Sequence, residues 1–139
     1  MHFYTKDVIV DPTDPANNTW FVAVADSWGK VGASPGGLYR TTDRGKSWEQ
    51  IPLALERGDV ESAVVQPTDG NSLFVSTERE GLWHCCLSGG VRCSRVDSYP
   101  FWHPLRCVFN PHNAEELWVT SFGGGMYTAR VSTNICHHD

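Results

Sequence analysis

The sequence predicts an all-β fold, a partial β-propeller of about three blades, and three observations lead there. Thirteen Gly, eight Pro and sixteen aromatics (six Trp, six Phe, four Tyr) in 139 residues describe many short strands joined by turns. An apolar run ending at a proline occurs three times: Val8-Ile9-Val10-Asp11-Pro12, Ala63-Val64-Val65-Gln66-Pro67 and Cys107-Val108-Phe109-Asn110-Pro111. Each reads as a short strand entering a turn. A glycine-led strand also recurs, as Gly37-Leu38-Tyr39-Arg40, Gly81-Leu82-Trp83-His84 and Gly125-Met126-Tyr127-Thr128, with 44 residues from each glycine to the next. A period in the forties with three or four strands per repeat is what a propeller blade requires.

With strands labelled a to d from the inner edge outward, the first blade (about 7–51) reads a at 7–11, b at 20–25, c at 37–41 and d at 47–51. The second (60–97) reads a at 60–65, b at 72–77, c at 81–86 and d at about 91–97. The third (105–139) reads a at 105–109, b at 116–121 and c at 125–131, its fourth strand missing or ragged. His2 to Thr5 reads as a strand-like scrap before the first blade. No helical periodicity runs longer than one turn.

Composition narrows the function. The 40% hydrophobic content suffices for a core, and a net charge of −5 argues against nucleic acid, because nothing here would neutralise a run of phosphates. The longest apolar run, Trp20 to Ala25, falls far short of the ~20 residues of a membrane helix, so no membrane partner is expected. Met1 is followed by polar, strand-like residues with no basic start and no apolar stretch. As written the chain is expected in the cytoplasm, or outside the cell if it is a piece of a longer exported protein.

Five cysteines, Cys85, Cys86, Cys93, Cys107 and Cys136, form an odd count without Cys-x-x-Cys spacing. They are expected as reduced, small apolar side chains rather than a disulfide framework. His84-Cys85-Cys86 with Cys93, and Cys136-His137-His138-Asp139, invite a metal reading. The first alternates across a strand, so its side chains point to opposite faces and cannot all reach one ion, and the second is a chain end. No metal and no cofactor is expected.

Thr41-Thr42-Asp43-Arg44-Gly45-Lys46-Ser47-Trp48 matches the Ser/Thr-x-Asp-x-Gly-x-Ser/Thr-Trp pattern of the bacterial neuraminidase repeat, or Asp box. At blade level the resemblance covers nearly the whole chain, although only the first blade carries the box. The chain resembles xyloglucan-active glycoside hydrolases and sialidase-like repeat proteins; sortilin-type receptors and photosystem assembly factors share the architecture. Those relatives have six or more blades, so about three implies a fragment or a part-propeller completed by association. In the box, Asp43 is expected to accept hydrogen bonds from its own turn, Gly45 to supply a positive φ, and Trp48 to bury its ring between blades. These roles are structural, with Thr41 and Ser47 completing the set.

The b–c and d–a loops share one face, which the resemblance implies is the ligand face. Here they are 26–36, 52–59, 78–80, 98–104 and 122–124, and the stretch from Pro12 to Gly37 that holds the first is eleven residues longer than its counterpart from Pro67 to Gly81. Trp28, Tyr99, Phe101, Trp102 and Phe122 gather there, and a flat ring in a groove stacks on a sugar's C–H face while polar neighbours such as Arg79 and His103 meet its hydroxyls. The competing reading makes these aromatics gap-fillers between blades. Asp26 and Glu78 each follow a strand b, the position that catalytic aspartates occupy in xyloglucanase-like enzymes. An inverting pair must stand ~6.5–9.5 Å apart, a spacing that sequence does not supply.

The expected function is recognition of a neutral oligosaccharide or polysaccharide by a glycoside-hydrolase-like propeller segment without complete catalysis of its own. Its partners would be the sugar and either the remaining blades or a second copy. The alternatives are a protein-interaction scaffold, and an inverting glycosidase using Asp26 and Glu78. Sugar binding predicts exposed Trp28 and Trp102, whereas a scaffold predicts those rings buried.

Overall fold

Valine, aromatic and threonine-rich runs bounded by Gly, Pro, Asn and Asp turns become strands because branched and flat side chains suit a pleated surface. The computed structural model describes residues 4–25, 36–56 and 58–136. The first blade is β1 (Tyr4–Val10), β2 (Trp20–Ala25), β3 (Gly37–Thr41) and β4 (Glu49–Ile51). The second is β5 (Val60–Gln66), β6 (Asp69–Thr77), β7 (Leu82–Cys86) and β8 (Arg92–Arg95). The third holds β9 (Pro104–Asn110), β10 (Asn113–Ser121) and β11 (Gly125–Arg130). Each sheet is an antiparallel meander, four-stranded in the first two blades and three-stranded in the third. The fold is all-β, a partial propeller, and no helix among the described residues is long and apolar enough to cross a membrane.

The inner strands β1, β5 and β9 lie side by side at the narrow end of the fan. There the Asp7 carboxylate accepts from Ser62 Oγ at 2.7 Å and from Arg106 Nη2 at 3.0 Å, joining all three blades. Between the first two blades, Phe21, Ala23, Leu38 and Ile51 pack against Ala63, Val65, Leu73, Val75 and Cys85. Between the second and third, Phe74, Leu82 and Tyr99 pack against Cys107, Phe109, Leu117 and Val119. Period two decides who goes where: Leu73 and Val75 face the first blade, Phe74 the third. β6 is therefore buried on both faces. On β10, Leu117 and Val119 are buried while Trp118 and Thr120 remain exposed, because nothing described covers the far side of the third blade.

Two expectations are corrected. Tyr4 and Thr5 are not a free scrap: they begin β1, paired with Ala25 and Val24, and so are already used within the first blade. His2 and Phe3 lie outside the described residues. The cysteines are not mainly reduced: Cys85 bonds Cys93, and Cys86 bonds Cys136. Cys85 and Cys93 stand opposite each other in the β7–β8 ladder. Its neighbour Cys86 points to the other face and meets Cys136, 50 residues on, which only the tertiary fold brings near. Cys107 is the free thiol among the described residues, and burial pushes it up to about 12, which leaves it inert as a small apolar side chain.

Candidate functional site

One face of the fan is a rigid turn. The Asp43 carboxylate accepts from Ser47 Oγ at 2.5 Å, from Ser47 N at 2.9 Å and from Thr41 Oγ1 at 2.7 Å. These donors, Ser47 Oγ foremost, hold the carboxyl at about 2, below its usual value. Thr41 Oγ1 in turn accepts from Gly45 N at 2.8 Å. Arg44 and Gly45 both take positive φ, 60° and 87°. The Trp48 indole donates to Gly45 O at 3.1 Å. A side chain at position 45 would meet the Trp48 and Trp20 rings at 3.5 and 3.6 Å. Trp48 was expected between blades; instead it is half-buried on its own turn, because its N–H is tied to the backbone there. The Arg44 side chain binds Asn18 and Ala16 of the a–b turn, so the two turns of this blade share one face. Thr41, Asp43, Gly45, Ser47 and Trp48 thus form one structural unit with both carboxylate oxygens engaged by its own turn.

The opposite face carries the b–c and d–a loops, and backbone hydrogen bonds gather them. Glu78 N donates to Asp59 O, Gly81 N to Trp102 O, and Phe122 N to His103 O, at 2.9 to 3.0 Å. On this surface Trp102 is 62% exposed. The Arg95 guanidinium lies 4.4 Å from its ring centroid, which fixes the indole on one side and leaves the rest to solvent. His103 stands beside it with Nε2 3.3 Å from Glu61 and its ring 5.4 Å from Phe122. Lys6 Nζ approaches the same Glu61 oxygen at 3.7 Å. A carboxylate held between a lysine and an imidazole, with two exposed aromatics alongside, combines apolar planes and hydrogen-bonding groups as a polyol site needs.

Of the expected site residues, Trp102 and His103 come together here. Glu78 is half-buried and Arg79 exposed on the adjoining loop. Asp26 and Trp28 lie outside the described residues. Tyr99 is corrected: it is 4% exposed and packs edge-on against Phe101 and Tyr127, so its ring is core. A d–a loop must re-enter the inner strand, and Tyr99 anchors that return between blades. Glu61, Lys6 and Arg95 were missed because they sit within strands, where alternation alone gives a charged residue no reason to matter; only the meeting of β1, β5 and β8 with the 98–104 loop assembles them.

A cleft of about 480 Å³ lies elsewhere, at the outer rim between the second and third blades. His84, Cys86 and Cys136 meet at its wall. Of the second cluster that invited a metal reading, Cys136 thus lies beside His84 and is joined to Cys86 as a disulfide, while residues 137–139 lie outside the described residues. Burial pushes the His84 imidazole down to about 4. The cleft and the Trp102 surface adjoin, since Arg95 lines the one and lies over the indole of the other.

No known family model matches the chain. It is similar to the xyloglucanase Xgh74A of Acetivibrio thermocellus, 27% identical over 119 residues in one form of that protein and 28% over 121 in another. Each alignment covers 80% of this chain and spans only 14% of the relative's length. Among solved structures it superposes on an ancestral GH74 enzyme with a TM-score of 0.64 at 16% identity, covering 97% of this chain and 18% of that one. The extracellular domain of a hybrid two-component system from B. thetaiotaomicron gives 0.64 at 16% identity, over 91% of this chain and 17% of that one. The chain is a distant glycoside-hydrolase-like relative with a propeller fold.

Proposed function

We propose that the chain is a carbohydrate-recognising Asp-box segment of a GH74-like propeller, without complete catalysis of its own, which binds a neutral oligosaccharide or polysaccharide on its open loop face. The observation that carries this reading is the exposed Trp102, backed by Arg95 and flanked by His103, Glu61 and Phe122. An indole held rigid and open to water is ready to stack without paying for ordering. The name of the curated relative supports a polysaccharide, and the net charge of −5 disfavours an acidic one. The two disulfides favour an oxidising compartment, consistent with an exported protein.

Titration with xyloglucan oligosaccharides and with acidic glycans, followed by Trp fluorescence, tests the reading. The neutral sugar should shift the emission with little salt dependence, since stacking involves no ion pair. Trp102→Ala should weaken binding by about tenfold or more while moving stability by about 0.5 kcal/mol at most. No response to any sugar would leave the interaction-scaffold alternative in its place.

A further inference from the structure

The turn between β1 and β2 holds the triplet Asn17-Asn18-Thr19. Asn17 alone among the chain's asparagines has a Ser or Thr two residues on; Asn18, Asn71, Asn110, Asn113 and Asn134 do not. Such a triplet, its middle residue not proline, is the acceptor for oligosaccharide transfer, and the finished fold must leave room for the glycan. This turn does. Asn17 is exposed, as are Pro15 and Ala16 before it. Its backbone is engaged on both sides: the N–H donates to Asp14 O at 3.1 Å, and the carbonyl accepts from Trp20 Nε1 at 2.9 Å. Its φ of 55° lies in the left-handed region, which asparagine enters more readily than most residues. The Asp14 carboxylate closes the turn, accepting from Ala16 N and Asn18 N at 3.0 Å and from Thr19 Oγ1 at 2.8 Å. Asn18 Oδ1 is held by Arg44 Nε at 2.6 Å, whereas no described residue hydrogen-bonds the Asn17 side-chain amide. A rigid turn therefore presents one free amide to solvent, on the face opposite the b–c and d–a loops.

A second observation brings this amide to the transfer chemistry. The Cys85–Cys93 and Cys86–Cys136 disulfides belong to an oxidising compartment, the one that exported chains enter. We propose that Asn17 is the acceptor of an N-linked glycan, attached during export from a lipid-diphosphate oligosaccharide donor. Asn17 Nδ2 forms a bond to C1 of the first sugar as the bond from C1 to the diphosphate oxygen breaks. The lipid diphosphate leaves with that electron pair, and the Nδ2 proton passes to a base of the transferase. The Thr19 hydroxyl, which the triplet requires, is committed to Asp14 in the folded turn. Transfer therefore precedes closure of the turn. The folded turn then carries the glycan without rearrangement, because the side-chain amide gives up no partner there. The site is independent of sugar recognition at Trp102 and rests on the disulfides as the mark of export.

The test directs the full 139-residue chain into the secretory route of cultured eukaryotic cells and weighs the secreted protein before and after peptide N-glycosidase. One glycan per chain is expected, and its enzymatic release should leave Asp at position 17. Asn17→Asp, which tolerates the same left-handed backbone, should lose the added mass entirely, as should Thr19→Ala. Thr19→Ser should keep it, because serine also supplies the hydroxyl, and Asn18→Gln should keep it too. Circular dichroism of the secreted variants shows that each is folded. A secreted, folded wild-type chain without a glycan overturns the proposal. So does a glycan that persists in Asn17→Asp, since another residue would then carry it. Trp102→Ala should leave the glycan in place, so failure of this site and failure of sugar recognition are read separately.

Discussion

The Asp43 carboxylate and the His84 imidazole are shifted in the same direction by opposite causes, and their pH windows do not overlap. Asp43 is held charged by Ser47 and Thr41, so its folded value of about 2 lies below the unfolded one. Its stabilisation is present above about pH 4 and is lost as pH falls towards about 2. His84 is held neutral by burial, with Ser72 Oγ 2.8 Å from its Nε2. The unfolded chain takes up a proton near the usual 6.5 and the native one only near about 4, so stability is lost as pH falls between those values. Thermal melts should therefore decline in two steps. His84→Gln should flatten the upper step and Asp43→Asn the lower one, each leaving the other in place. A single step unaffected by either substitution would contradict this assignment.

Adjacent residues on one strand separate burial from chemistry. Leu117 is 1% exposed and Trp118 39% exposed, since β10 has a blade on one side only. Leu117→Ala should cost about 2–5 kcal/mol and Trp118→Ala less than about 1 kcal/mol in urea unfolding, although tryptophan is much the larger residue. The cross-links act on elements more strongly the longer the loop they close, though only logarithmically. Cys86–Cys136 spans 50 residues and Cys85–Cys93 spans 8. By the chain-entropy argument their removal should cost about 4 and about 2.5 kcal/mol. Denaturation of Cys136→Ser and Cys93→Ser should show that order, and the reverse would mean that the C-terminal segment is held mainly by packing.

For the molecule as a whole, the two ends of the fan are its exposed surfaces. The first blade shows Val8 (60%) and Val10 (48%) to solvent, and the third shows Val108 (50%), Trp118 and Met126 (59%). Such apolar faces mark a surface that packs on something. In keeping with a part-propeller, the chain should self-associate at micromolar concentration, or bind further blades where these are supplied. Sedimentation velocity over a concentration series checks this: Trp118→Glu with Val108→Asp should shift the population to monomer. A wild-type chain monomeric throughout would contradict it.

Glycine spacing, proline-stopped apolar runs and the Thr41–Trp48 turn carry enough local information to place most strands. The ranges of β2 and β3 agree with expectation to the residue, because alternation and turn chemistry are properties of neighbouring residues. The Asp43 network was legible for the same reason: all its donors lie within four residues. The disulfides, the core position of Tyr99 and the meeting of Glu61, Lys6 and His103 were not. Each depends on which face of a strand looks at which blade, and Cys86 and Cys136 have no local signal of one another. By itself the sequence determined the repeat, the strands and the closed turn. Tertiary structure decided which side chains became core, which indole stayed open and which cysteines met, because packing between blades joins residues that the chain keeps dozens of positions apart.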